Sequence, residues 1–430
     1  MAFYCGVDFG TSNSVIALCS DENPSPVTFR VPSLIYFPED PDSTAERYCG
    51  TDALDRYIAD GMSGRFFQSI KTVLPDPSFT QTVINRKRFS AEDLVAVMLR
   101  YLRGIMEDRS GSAITRAVIG RPARFSPDDH KEEIAQDRLL AATKQAGFDE
   151  VLFEYEPVAG AHSYIGRSRG EALVFVADHG GGTSDFTVMR LRPGDDPDRD
   201  SSRTPQARLA EAGEILGTHG IRAGGDDFDA EIMWNRVVEQ FGFGSSYESF
   251  GKYLPIPVHI YRIISRWDQI HFLKTTKYRE ELRYFLRTSD NPLAIRRLIK
   301  LVEENLGLFV SRAVEQAKIA LSTDEIGLVS YEKDKLRIRE EIDRSQFNEY
   351  VAEWIAAIGE AVDETLRRAG IGGQEIDAVF MTGGSSTVPA VRSVLESRFT
   401  AQALVDDTRR FDSVAEGLAL TARIRGLSGA

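Results

Sequence analysis

Apolar and polar positions along the chain alternate between two periods, one near two residues and one near 3.6. Residues 2–19 run apolar around Asp8 and read as a β-hairpin. Residues 21–90 are punctuated by Pro, Asp and Ser and read as a small insert of short elements. Over 91–106, Leu94, Val95, Met98, Leu99, Leu102, Ile105 and Met106 share one helical stripe. Ala117-Val118-Ile119-Gly120 reads as a short buried strand. Ser126-Pro127-Asp128-Asp129 then starts a helix, with Ser126 as cap and acids at the positive end, running to Ala146 and stopping at Gly147. A strand over 151–154 leads into Glu156-Pro157 and a further helix. A second hairpin covers 171–192, and the charged stretch 195–202 reads as an exposed loop. Helices are predicted from Gly224 onward, over 293–322 as one long amphipathic helix, over 345–369 from a Ser345 start to Gly370, and over 412–425. Between the last two, a strand over 377–382 enters Gly383-Gly384-Ser385-Ser386, and Pro389 opens another helix. Strands alternating with helices give an α/β protein.

The two hairpins share a turn. The first reads Asp8-Phe9-Gly10-Thr11-Ser12-Asn13 and the second Asp178-His179-Gly180-Gly181-Gly182-Thr183-Ser184-Asp185. Each brings an apolar strand to an Asp, passes through glycines and hydroxyls, and returns apolar. Glycines let backbone N–H groups approach phosphate oxygens, and the hydroxyls add donors. An Asp beside each turn repels a phosphate directly but suits a Mg²⁺ held partly through waters. Asp-x-Gly turns are also common in ordinary hairpins; the pairing of the two is what favours a polyphosphate clamp. Neither is a P-loop, because no G-x-x-x-x-G-K-[ST] and no G-x-G-x-x-G after a strand is present.

Composition narrows the field. At 430 residues two large lobes are expected. A formal charge of −13, from 52 basic and 65 acidic residues, argues against non-specific binding to nucleic acid or an anionic membrane. Cys5, Cys19 and Cys49 have no metal spacing. With no signal peptide and no apolar run of transmembrane length, the expected compartment is the cytoplasm.

The paired turns resemble the phosphate-binding segments of the actin-like ATPase superfamily, and their wording resembles the DnaK-type seventy-kilodalton heat-shock chaperones. Other segments agree in order. Lys71 in Gln68-Ser69-Ile70-Lys71 matches the family's phosphate-contacting lysine. Glu156-Pro157 with Ala159, Gly160 and Ala161 matches its Asn-Glu-Pro-Thr-Ala-Ala segment. Gly224-Gly225-Asp226-Asp227-Phe228-Asp229, Glu315-Gln316-Ala317-Lys318 with Leu321-Ser322, and Gly383-Gly384-Ser385 with Pro389 resemble its remaining nucleotide motifs. The resemblance spans about residues 4 to 425.

It implies a two-lobed actin-like fold, each lobe a ribonuclease-H-like mixed sheet flanked by helices, with an outer subdomain on each. Lobe I would cover 1–170 with an insert at about 31–112, and lobe II 171–407 with an insert at about 226–344. Residues 408–430 would return a final helix to lobe I. It implies ATP or ADP with Mg²⁺, K⁺ being a further candidate ion, and slow hydrolysis. Asp8 and Asp185 would orient the waters around Mg²⁺. Gly10, Thr11, Ser12, Asn13, Gly180, Gly181 and Gly182 would hold phosphates. Lys71 would neutralise charge on the terminal phosphate, while Glu156, Asp178 and Thr183 position or polarise the attacking water. Gly224, Gly225, Glu315, Lys318, Ser322, Gly383, Gly384, Ser385 and Asp412 would serve the nucleoside.

Three departures qualify the resemblance. Ile319 and Thr387 stand where the family has two adenine-sandwiching arginines, so weaker or less base-selective binding is expected. The chain ends at Ala430, so the resemblance reads as the nucleotide-binding domain without the family's peptide-binding domain. And residues 243–285 hold ten aromatics, while 252–300 carry eleven Lys or Arg against four Asp or Glu. That region is either a helical insert with an aromatic core and a solvated basic face, or a docking surface for an acidic protein partner or co-chaperone. Arg262, Arg266, Lys274 and Lys277 are its candidate surface charges. Competing readings of the whole chain are a nucleotide-dependent scaffold with little turnover, a small-molecule kinase on the same fold, and a filament former.

Overall fold

The computed structural model describes residues 2–39, 47–126, 128–165, 171–191, 213–333, 336–405 and 412–429. The loop expected over 195–202 lies outside them. The chain divides into two compact units: 1–224 with 358–386 and 393–430, and 225–357 with 387–392.

The first unit contains two mixed sheets built on one plan. In the first, Phe3–Asp8 pairs antiparallel with Asn13–Ser20, which pairs antiparallel with Val27–Pro32. On its other side Phe3–Asp8 lies parallel to Arg116–Arg121, and that strand lies parallel to Glu150–Tyr155. In the second, Ala172–His179 pairs antiparallel with Ser184–Leu191, which pairs antiparallel with Gly213–Ile221; Ala378–Thr382 runs parallel on the far side. Both hairpins of the sequence repeat therefore sit at the same place in their sheets. Each is joined by a four-residue turn, Phe9 to Ser12 and Gly180 to Thr183.

Helices cover the sheets because their apolar stripes need burial. The helix Ala91–Ser110 buries Leu94, Val95, Met98, Leu99, Leu102 and Met106 in one core with Val7, Ile16 and Ile119. It starts with a reciprocal Ser90–Asp93 capping box and stops at the left-handed Gly111. The terminal helix Ser413–Ile424 shares a second core with the first hairpin through Ala415, Leu418, Ala419 and Ala422. Its backbone comes so close that a Cβ on Gly6 would lie 2.6 Å from the Ala415 carbonyl oxygen.

Three boundaries differ from expectation. The helix after residue 126 is Asp129–Ala146, and its cap is Asp128, whose carboxylate accepts from the Lys131 amide at 3.0 Å. The Ser126 hydroxyl instead accepts from the Asp128 amide. The helix expected over 293–322 is two helices, Pro292–Glu303 and Gly307–Ala320. Asn305 between them adopts φ 56° and ends the first, while the apolar stripe continues across the break. The helix expected from Ser345 is Arg344–Tyr350, capped by Asp343, followed after Val351 by Ala352–Ala369.

The second unit is helical with two hairpins, Ser246–Ser249 with Lys252–Pro255, and Ile326–Lys333 with Leu336–Asp343. Its interior includes Ile260, Tyr261, Ile264, Leu298, Leu301, Val310, Val314 and Ile338. Among the described residues no helix is long and apolar enough to cross a membrane.

Candidate functional site

The two Gly-rich turns meet within the first unit. A Cβ added at Gly182 would lie 3.8 Å from Thr11 Cγ2. The first turn is cinched by Ser33, whose amide donates to the Ser12 carbonyl at 2.9 Å and whose hydroxyl donates to the Gly10 carbonyl at 2.8 Å. A Cβ on Gly10 would overlap the Asn13 carbonyl, so the turn requires glycine there. The second turn is closed by the Gly180 amide donating to the Thr183 carbonyl at 2.9 Å. Gly224 packs on it so tightly that a Cβ would overlap the Gly181 carbonyl. Ser385 donates to the Gly180 carbonyl at 3.0 Å, and Gly383, at φ +78°, would place a Cβ 2.8 Å from Asp178 Oδ1. Gly384 lies between them in the 3-10 turn Gly384–Thr387.

Around these turns four carboxylates face one ammonium. Lys71 Nζ donates to Glu156 Oε1 at 2.8 Å, with both side chains nearly buried. Asp178 and Asp185 stand directly opposite in the second hairpin register, and Thr183 donates to Asp185 Oδ2 at 3.1 Å. Burial, then Asp178 and Glu156, push Asp185 up to about 7. Burial and the Glu156 charge push Asp178 up to about 6. Asp8 is raised by burial and by Glu156 and Asp178, against Lys71. Burial alone would lower Lys71, but Glu156, Asp8 and Asp178 together hold it above its ordinary value. The cluster is thus short of positive charge.

A Mg²⁺–nucleotide fits that imbalance. A divalent cation would return the aspartates toward their ordinary range. The Ser12 hydroxyl, buried on the first turn, has no partner. Among the described residues no group of three or more His, Cys, Asp or Glu side chains is placed to ligate an ion directly.

A model of the Hsp70 protein family matches residues 4–246 and 302–429. The chain belongs to the Hsp70 family. Members of this family are ATPases that bind ATP or ADP with Mg²⁺. Among the relatives of this Hsp70-family chain is the chaperone protein dnaK of Cyanidium caldarium, 25% identical over 450 residues that cover 98% of this chain and 60% of the relative. The chaperone protein DnaK of Mycoplasmopsis agalactiae is 25% identical, covering 98% and 58%. That of Mycoplasmopsis pulmonis is 26% identical, covering 91% and 53%. The chain therefore spans little more than half the length of the relatives it matches.

The remaining expected site residues have other surroundings. Gly225 begins the helix Gly225–Ile232 of the second unit. Lys318 is engaged there: its Nζ donates to Asp229 Oδ2 at 2.7 Å and to the Gly225 carbonyl at 3.0 Å. Burial pushes Asp229 up to about 7, against the Lys318 charge. Glu315 and Ile319, one helical turn apart, are exposed on the same helix, and Ser322 is half-buried just beyond it. Asp412 accepts from Thr28 at 3.2 Å and from Arg30 at 3.1 Å, on the edge strand of the first sheet.

One polar chain was missed in the sequence. Ser184 Oγ donates to the Ala223 carbonyl at 2.6 Å, so it must accept from His179, whose Nδ1 lies 2.9 Å away. Both side chains are fully buried beneath the second turn, and burial holds His179 neutral, down to about 4. The signal was available: both variable positions of Asp-x-Gly-Gly-Gly-Thr-x-Asp are polar here.

The basic aromatic region divides. Tyr261 and Phe285 are buried, and Tyr247 packs on Phe285 at 4.7 Å between centroids. Arg262 stacks 3.6 Å from the Trp234 ring centroid, Arg266 pairs with Asp227, and Lys274 bonds Asn305. Three of the four expected surface charges therefore have partners within this unit, while Arg262 and Arg266 stay exposed. Phe250, Tyr253 and Phe272 are exposed, as are Lys252, Lys277, Arg283 and Arg287.

Proposed function

We propose that this chain binds ATP with Mg²⁺ at the paired turns and hydrolyses it slowly. The observation that carries this reading is the Lys71–Glu156 pair beside Asp8, Asp178 and Asp185, at the place where both turns meet. Bound Mg²⁺ supplies charge neutralisation for the phosphates. The turns bind and orient the phosphates. Lys71 holds charge against the terminal one. Glu156, Asp178 and Thr183 orient water. Mg²⁺-dependent phosphate release from wild type and from Lys71→Ala tests the reading, with ATP binding measured in parallel. Release by wild type no faster than by Lys71→Ala, with binding intact, would leave instead a nucleotide-dependent scaffold. Ile319 and Thr387 favour that second reading, because apolar and hydroxyl side chains grip a base less firmly than arginines.

Nucleotide occupancy would change the surface offered to a protein partner. The partner-facing residues are Phe250, Tyr253, Lys252, Arg283 and Arg287, in the segment 247–301 that the family model does not match. An acidic partner suits them. Reversing Arg283 and Arg287 to Glu, with Phe250→Ser, should abolish ATP-dependent recovery of any partner found by pull-down. An unchanged partner set would end this part of the reading.

A further inference from the structure

Lys71 sits on an element that little regular structure supports. Ser69 enters it at φ +58°, the residues Ile70–Val73 form one 3-10 turn, and an irregular loop follows to Phe79. Pro75 and Pro77 lack amide protons, which leaves this loop few donors of its own. Internal bonds are limited to single-turn contacts such as Leu74 to the Lys71 carbonyl at 3.2 Å and Asp76 to the Val73 carbonyl at 3.2 Å. Yet Lys71 must hold its ammonium beside Glu156.

One side chain from another element gathers the loop. Arg138, on the helix Asp129–Ala146, sends Nη1 to the carbonyls of Val73 at 3.0 Å, Leu74 at 3.1 Å and Asp76 at 2.8 Å. Its Nη2 donates to the Phe79 carbonyl at 3.0 Å. The side chain is 13% exposed, and its Nε lies 3.6 Å from Glu92 Oε1. The planar guanidinium reaches all four converging carbonyls, two of the three at Nη1 sharing one of its two protons, and a point charge has no such spread. Ile70 and Leu74, buried on either side of Lys71, pin the same turn to the core.

We propose that Arg138 is the positioning residue for Lys71: it fixes the backbone of the turn, while Glu156 fixes the ammonium at the other end of the side chain. The consequence for turnover rests on the proposed ATPase function; the consequence for Lys71 itself does not. A shift of about 1 Å in a charge that acts on the transition state costs on the order of 10²-fold in rate. Arg138→Gln should therefore lower kcat for phosphate release roughly 10-fold or more while leaving the Kd for ADP within about twofold. Arg138→Lys should recover only part of the rate. Independently of activity, the Lys71 amine should be acylated about fivefold faster in Arg138→Gln, read by peptide mass spectrometry under limiting reagent, because the loop opens more often.

Acylation of Lys71 at the wild-type rate in folded Arg138→Gln would overturn the proposal, whatever the turnover. If Arg138→Gln does not fold, Arg138→Lys is read by the same assay, with a smaller rise expected and no rise overturning the proposal. Failure of the functional reading appears separately, as Lys71→Ala releasing phosphate like wild type.

Discussion

Asp185 shows how much a single residue here depends on what surrounds it. Its carboxyl is half-buried opposite Asp178, and its value of about 7 lies well above the usual 3.8. A carboxyl whose pKa rises on folding holds its proton more tightly in the folded chain. Stability is then greatest below about pH 4 for this group and is lost as pH rises through about 7. A rise from 3.8 to about 7 corresponds to ~4 kcal/mol if one group bore it alone. Asp178, pushed the same way, titrates with it, so the increment for Asp185→Asn is smaller, about 1–2 kcal/mol. Nucleotide-free Asp185→Asn should therefore melt above wild type at pH 8 and close to it at pH 5. A parallel pH dependence of the two melting temperatures would mean that the crowding of carboxylates carries no such cost. Gly224 makes a second residue-scale test. Its Cβ would meet the fixed Gly181 carbonyl, so Gly224→Ala must displace the turn. ATP affinity should fall at least about tenfold, or ~1.4 kcal/mol, by calorimetric titration, and an unchanged affinity would remove the turn from the binding site. The sequence made these residues legible as types at a spacing. It could not show that Asp178 and Asp185 share a register pair, nor that His179 and Ser184 form a buried chain under the turn. Both depend on the pairing of strands rather than on their order.

At the scale of elements, the hairpins, the Ala91–Ser110 helix and the terminal helix followed from periodicity and stop signals, because each has one face that must be buried. Periodicity failed at 304–306 for a physical reason. The apolar stripe continues from Pro292–Glu303 into Gly307–Ala320, so only the left-handed Asn305 marks the break, and Asn is a weaker breaker than Gly or Pro. The cap at Asp128 was displaced by two residues because Ser and Asp compete for the same role. Close approach of two helices left only a weak trace, as glycines within otherwise ordinary helical runs. The terminal helix passes the Glu156–Ile165 helix at Gly417, where a Cβ would overlap the Ala159 carbonyl. That contact joins the helix beginning at Glu156 to the first sheet's core. Gly417→Ala gains helix propensity of about 1 kcal/mol but must push two backbones apart. Overpacking should win, with a net loss of about 1–3 kcal/mol by denaturant midpoint at unchanged m-value. A stabilised Gly417→Ala would show that the helices yield freely, and Glu156 would then be less firmly placed than its pairing with Lys71 suggests.

For the whole molecule, the sequence carried the doubled turn and the family, and the structure added that both sheets repeat one strand plan. Family likeness is uneven along the chain. It covers 4–246 and 302–429, and the segment outside it carries the exposed Phe250 and Tyr253. The residues expected to recognise a nucleotide are uneven too. Those expected for the phosphates lie in the first unit, whereas Ile319, which the resemblance sets where the family has a base-stacking arginine, is exposed on the second. A stacked guanidinium contributes about 0.5–2 kcal/mol to a base contact. Without it and its companion at Thr387, affinity should come mainly from the phosphate turns. ATP and GTP should then bind within about fivefold of each other, and adenosine should raise the melting temperature far less than ADP at equal concentration. Installing Ile319→Arg with Thr387→Arg should strengthen ATP binding roughly 5–10-fold, by about 1–1.4 kcal/mol, and leave tripolyphosphate binding unchanged. A wild-type preference for ATP over GTP beyond about 100-fold would show instead that other side chains grip the adenine, and the altered positions would lose their meaning for selectivity.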